Sequence, residues 1–235
     1  MNKRFITIAI VLFLLLIPGK SNAQTLKYKP HFMFGATGGV NLSNMIFTPN
    51  VQQGLKVGYD AGIILRYDVG HVYDLPNVTA GVWVEVDYSE RGWNEKPKDL
   101  AEKYQKMDLS YTRTLRFVNL PILTHLMFGA DAFKITVDLG PHFGYLIGES
   151  SKSTFPEGNI PGVVIKQHEM PVENKFAWGV GGGIGVEYHF DRWLIGGRAS
   201  YVYGLGEIYG NSRSDYFGKS SEQIVATKLY ALFKF

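Results

Sequence analysis

Apolar and non-apolar residues alternate one by one over long stretches of this chain, and residues 55–69 show the pattern most clearly. Leu55, Val57, Tyr59, Ala61, Ile63, Leu65, Tyr67 and Val69 are apolar. The residues between them, Lys56, Gly58, Asp60, Gly62, Ile64, Arg66 and Asp68, are polar, charged or glycine with the one exception of Ile64. A period of two puts the first set on one face of a β-strand and the second set on the other. The run is about twice the usual strand length of a soluble domain, and at about 3.3 Å per residue it can cross a bilayer at a tilt.

Seven further stretches carry the same pattern: residues 32–42, 78–91, 109–128, 133–145, 176–190, 195–205 and 224–235. The fourth strand, 109–128, is the least regular. Leu109 and Tyr111 start in one phase, whereas Val118, Leu120, Ile122, Leu126 and Phe128 finish in the other. Pro121 cannot donate a ladder hydrogen bond, so a β-bulge is expected between Leu115 and Pro121. The connections alternate in character. Those at 43–54, 93–108, 148–175 and 206–223 are long and polar, with helical turns expected at 99–106; those at 70–77, 129–132 and 191–193 are short. An even number of strands with alternating short and long connections predicts an all-β fold: an eight-stranded antiparallel up-and-down transmembrane β-barrel, with short periplasmic turns and long outer loops.

The charged residues decide which face meets lipid. Asp60, Arg66, Glu85, Asp87, Lys134, Asp138, Glu187 and Arg198 sit within strands, separated by glycines and small residues. An eight-stranded barrel has an interior just wide enough for side chains, where opposite charges can pair. The other face carries aromatics near strand ends, among them Tyr59, Tyr88, Phe133, Tyr145, Phe176, Tyr188 and Phe235, as the girdles of a membrane barrel do. A soluble lipocalin-like barrel would need the opposite arrangement. An interior filled by side chains also argues against a general diffusion porin.

The amino terminus adds an address. Lys3 and Arg4 precede an apolar run at 5–17, followed by Pro18, Gly19 and the small-residue site Ser21-Asn22-Ala23. Residues 1–23 are read as a cleaved signal peptide, 24–31 as a short periplasmic lead and 32–235 as the outer-membrane barrel domain. The signal holds three of the 24 basic residues and no acid, which leaves 21 basic against 21 acidic residues. A neutral mature chain gives no electrostatic footprint for nucleic acid. With no Cys, disulfides, thiolate metal sites and Cys nucleophiles are excluded.

Four motifs, Gly38-Gly39-Val40-Asn41-Leu42-Ser43, Asn119-Leu120-Pro121-Ile122-Leu123, Gly140-Pro141-His142-Phe143-Gly144-Tyr145-Leu146 and the terminal Phe235, together with the eight-strand layout, resemble the PorT-like family of Bacteroidetes outer-membrane β-barrel proteins. The resemblance covers about 32–235. It implies an outer-membrane barrel and, because the family's namesake is implicated in type IX secretion, an accessory role in protein secretion.

Candidate chemistry is sparse. His142 follows Asp138 by four residues, and Glu187 and His189 share a face, with Asp60, Glu85 and Asp87 able to lie near either pair. A His held by a carboxylate can serve as a general base, and such a pair at the rim would suit a lipid acyltransferase, hydrolase or protease. No nucleophile motif accompanies it, so interior hydrogen bonding is the simpler reading and no residue is assigned as catalytic. Gly179-Val180-Gly181-Gly182-Gly183-Ile184-Gly185 misses phosphate-loop spacing, and no helix follows. The six His show no close metal-ligand spacing; no metal and no cofactor are expected. The terminal strand, with Leu229, Ala231, Phe233 and Phe235 on one face, resembles the signal read by barrel-assembly machinery. The expected partners are outer-membrane lipid, that machinery during biogenesis, and secretion-system or cell-surface proteins at the loops 93–108, 149–175 and 206–223.

Overall fold

The computed structural model describes residues 30–72, 75, 77–95, 109–129, 132–155, 168, 170–210 and 217–235. The expected signal peptide, most of the lead and the helical turns at 99–106 lie outside the described residues. Among the described residues nine strands form one sheet: β1 (His31–Thr48), β2 (Gln53–Gly54), β3 (Lys56–His71), β4 (Val78–Glu95), β5 (Tyr111–Phe128), β6 (Phe133–Ser153), β7 (Phe176–His189), β8 (Trp193–Gly204) and β9 (Lys219–Lys234). β2 is a two-residue piece that extends the β4 edge. The eight long strands pair antiparallel in the order β4-β3-β1-β9-β8-β7-β6-β5, and β5 returns to β4 to close the ring. Among the described residues no helix is long and apolar enough to cross a membrane.

The alternation sorts as lipid requires. Tyr59, Ile63 and Leu65 are 63%, 52% and 47% exposed on the outer wall, whereas Arg66 and Glu85 are 0% exposed inside. Outward aromatics cluster near the strand ends as Phe32 with Tyr67, Tyr188 with Phe190 and Trp193 with Phe233. Ile64, the apolar exception among the polar positions, is also inside; it packs with Met33, Trp83, Leu123, Leu194, Tyr230 and Leu232 in the periplasmic half of the lumen.

Four strands are longer on the loop side than the sequence suggested. β1 runs on to Thr48, β4 to Glu95 and β6 to Ser153, and β9 begins at Lys219, all within stretches expected to be loop. Strands of 16–21 residues at about 3.3 Å each exceed an apolar band about 25 Å tall even when tilted. The wall therefore stands above the lipid.

The expected bulge in the fourth strand is not there. β4 pairs with β5 in constant register from Glu95↔Tyr111 to Val78↔Phe128, and odd-numbered positions face inward along the whole of β5. The irregularity at this level is between β5 and β6, where Arg116 faces Gly148 and Phe117 faces Leu146; the extra residue is Ile147, on β6. The apparent change of phase in the sequence has another cause. Leu109, Tyr111, Leu115 and Phe117 are apolar residues of the inner face, because the lumen at the loop end is apolar.

Candidate functional site

The lumen is built in layers, and register explains why each charge meets its partner. Glu187, Gly196 and Tyr230 occupy one inward row across β7, β8 and β9. A Cβ on Gly196 would come within 2.5 Å of the Tyr230 ring. Glycine there lets the phenol cross the strand and donate to Glu187 at 3.0 Å. Arg66 reaches the same carboxylate at 2.8 Å and Asp68 at 2.9 Å. His189 lies 2.9 Å from Glu187 at the periplasmic rim, and His31 lies 3.3 Å from Asp68.

The next layer toward the loops is continuous with this one. His125 Nδ1 is 2.6 Å from Asp138, and its Nε2 is 3.3 Å from Glu187. Arg198 spans Asp138 at 3.5 Å and Glu85 at 2.8 Å. Lys228 bridges Glu85 at 2.7 Å and Asp87 at 3.2 Å. Trp83 Nε1 donates to Glu85 at 3.0 Å, Asn119 to Asp87 at 2.8 Å and Asn41 to Asp60 at 3.1 Å. A buried charge is costly unless paired, and this ladder pairs ionisable side chains from all eight long strands. It ties the ring together across its diameter, which the backbone ladder cannot do.

Above the ladder is a polar cavity of about 60 Å³, whose lining includes Asp60, Asp87, Arg91, His142, Arg198 and Lys228. That is room for a few water molecules at most. Above it Arg91 pairs with Glu222 at 3.1 Å and stacks on the Phe117 ring at 3.7 Å. The loop end is then closed by apolar side chains. Phe47 packs against Trp93 (5.3 Å), Phe217 (4.7 Å) and Tyr209 (6.1 Å), with Met45, Leu115, Leu146, Val172 and Ile208 filling between them. Two inter-strand segments supply part of this lid. Glu173 and Asn174 N–H groups donate to the Ile208 carbonyl at 3.1 and 3.2 Å, and Ile208 N–H donates to Ser220 O at 3.1 Å. Arg113 holds the lid from β5: it donates to Met170 O at 2.7 Å and to the Tyr209 hydroxyl at 3.3 Å, and it pairs with Glu149 at 2.7 Å. Burial pushes the Tyr209 phenol up, so it stays a neutral partner for that guanidinium.

The sequence-derived pairs divide unevenly. Glu187 and His189 are in contact. Asp138 is paired with His125 rather than with His142, because β5 and β6 set His125 directly opposite Asp138. His142 points across the glycine of the neighbouring strand, where a Cβ on Gly181 would lie 2.6 Å from its Nε2. The glycine run at 179–185 is thus a stretch of wall stripped of side chains to make room for its neighbours' long ones. Asp60 and Asp87 line the cavity with His142, whereas Glu85 joins the ladder. Lys134 is inward too, but at the periplasmic mouth, where its Nζ donates to Gly129 O. Sequence reasoning passed over His125, Arg91, Lys228 and Glu222, and the whole aromatic lid. The inward parity of Lys228 with Tyr230 and Leu232 was the available signal for one of them. Among the described residues no group of three His, Asp or Glu side chains could hold a metal ion.

These features define a class: a closed, side-chain-filled, eight-stranded outer-membrane barrel. The chain belongs to the family defined by an outer membrane protein β-barrel domain, which matches residues 22–210, and it is a protein of the outer membrane. Solved structures similar to it include Ail, the attachment invasion locus protein of Yersinia pestis (11% identity, 86% of this chain and 98% of that chain, TM-score 0.38). Neisserial surface protein A (13%, 88% and 100%, TM-score 0.42) and the outer membrane enzyme PagL (10%, 86% and 98%, TM-score 0.43) are also similar. No curated protein matches the chain in sequence.

Proposed function

We propose that the chain is a non-enzymatic barrel that works as a structural and interaction protein through its loop end, exported by the signal at 1–23. The observation that carries this reading is the sealed lumen. Among the described residues the aromatic lid and the ion-pair ladder leave a cavity of about 60 Å³ between them, and the inward carboxylates of the ladder are taken up by Arg66, His125, Arg198 and Lys228. The wall that stands above the lipid then presents the loops as the contact surface. The resemblance to the PorT-like family supports a finer version, in which the partner is part of a protein-secretion apparatus.

Affinity capture of the intact chain from outer membranes, compared with a variant whose residues 96–108, 156–167 and 211–216 are replaced by short polar turns that leave the strands and the lid side chains in place, tests the reading. A partner retained by the first and lost by the second supports it; identical captures refute the loop role. The enzyme reading would have to use a His–acid pair at the periplasmic rim, Glu187–His189 or His31–Asp68, where a cavity of about 220 Å³ opens. Glu187 already accepts from Arg66 and Tyr230, which favours an architectural role. Altered membrane lipids in a deletion strain, restored by the parent but not by His189→Ala, would establish the enzyme instead.

A further inference from the structure

The outer wall above the lipid band is not uniform, and one sector of it gathers cations. Register fixes the rows. Tyr88, Val118 and Tyr145 lie side by side and face outward. One row nearer the loops come Glu90, Arg116 and Gly148; then Gly92, Thr114 and Ser150; then Gly54, Asn94, Thr112 and Lys152. Successive rows are about 6.6 Å apart along the strand, so on β4 and β5 polar rows sit directly above this apolar one, while exposed Leu55 and Val57 keep the β3 side of the sector apolar. Lys56, at the start of β3, turns into the same sector, with its Nζ 3.3 Å from the Val57 carbonyl. A groove of about 380 Å³ runs between Lys56 and Lys152, lined by Asn94, Thr112, Thr114 and Ser150. Arg116 borders it, half-exposed, 3.3 Å from Glu90 and 3.4 Å from the Ser150 hydroxyl. Among the described residues three cations therefore face one carboxylate, among hydroxyl and amide donors.

We propose that this groove holds the phosphate-bearing headgroup of a lipid of the outer leaflet. Three observations select that occupant. The excess of positive charge requires an anion. The groove begins two rows above an aromatic and aliphatic row, with Arg116 on the row between, which is headgroup depth in a barrel girdled by aromatics; the acyl chains of the same molecule then lie on Tyr88, Val118 and Tyr145. The donors between the cations suit phosphate and sugar oxygens, which are acceptors. On the opposite wall Lys219 is turned onto Tyr203, its Nζ donating to the phenol oxygen at 2.9 Å.

The test uses the whole folded chain in detergent with equal amounts of lipid A and phosphatidylcholine, and native mass spectrometry to count what is retained. The parent should keep lipid A in preference. Each basic group near a membrane surface contributes about a fivefold effect, so the Lys56→Gln/Arg116→Gln/Lys152→Gln variant should lose lipid A by at least tenfold, whereas Lys219→Gln should change retention less than twofold. The heat-dependent gel shift of a closed barrel verifies folding. If the triple variant does not fold, Lys152→Gln alone should still show about a fivefold loss. Retention unchanged in the charge variants overturns the proposal, as does an equal loss with Lys219→Gln. Displacement of lipid A from the parent by millimolar inorganic phosphate would overturn it too, since the site would then be one for a small anion.

Discussion

Glu85 is the residue on which the luminal ladder depends most. It is fully buried, and its two oxygens accept from Lys228 Nζ at 2.7 Å, Arg198 Nη2 at 2.8 Å and Trp83 Nε1 at 3.0 Å. Glu85→Gln keeps the volume and one carbonyl oxygen, but turns the other acceptor into a donor that faces donors. Removing one partner of a buried ion pair costs about 3–5 kcal/mol. Lys228 keeps Asp87 at 3.2 Å and Arg198 keeps Asp138 at 3.5 Å, so the expected loss falls at the lower end, about 3 kcal/mol. The assay is equilibrium unfolding of the chain from lipid vesicles in urea, followed by tryptophan fluorescence, with the midpoint read at unchanged slope. Lys228→Met should cost less in the Glu85→Gln background than in the parent, because only its bond to Asp87 is then left to lose; the coupling energy between the two sites should be about 2 kcal/mol. A Glu85→Gln variant within about 1 kcal/mol of the parent, with no coupling to Lys228, would show that water screens the lumen and that the ladder does not hold the ring.

Further outcomes follow from other layers. Phe47→Ala removes the ring at the centre of the lid and should cost about 3–5 kcal/mol in the same unfolding assay, whereas a loss under about 1 kcal/mol would mean that the lid is not packed. In planar bilayers the parent should give no stable large channel, and such steps would contradict a filled lumen. Gly35→Ala should lower the yield of folded barrel sharply, since its Cβ would lie 1.9 Å from the Ala231 carbonyl oxygen, while Gly38→Ala should be tolerated, its nearest neighbour being 3.8 Å away; equal yields would contradict that packing. Deletion of Phe235, whose N–H donates to Phe32 O at 3.1 Å and whose exposed ring ends the outward face of β9, should reduce folded protein in the outer membrane, and normal levels would argue against a terminal assembly signal.

The strand pattern was legible because lipid and lumen are opposite solvents on either side of one pleat, and a period of two records both at once. Tyr59, Ile63, Arg66 and Glu85 could be assigned to their faces from parity alone. Partners could not. Asp138 meets His125 and not His142 because β5 and β6 are antiparallel at one particular register, and a carboxylate four residues from a His on its own strand lies too far along it to compete. Loop-side strand ends were illegible for a related reason. Once the wall rises above the lipid, its outer face turns polar, as Thr112, Thr114 and Arg116 do, and its inner face turns apolar, as Met45, Phe47, Tyr111 and Leu115 do. Parity continues while its meaning inverts, and the inversion on β5 imitates a bulge. The same inversion marks where the barrel leaves the bilayer. Polar outward residues directly above the Tyr88–Val118–Tyr145 row and an aromatic lid inside are two consequences of one boundary: below it the lumen must pair charges away from lipid, and above it the strands must build a water-excluding core of their own to stay closed.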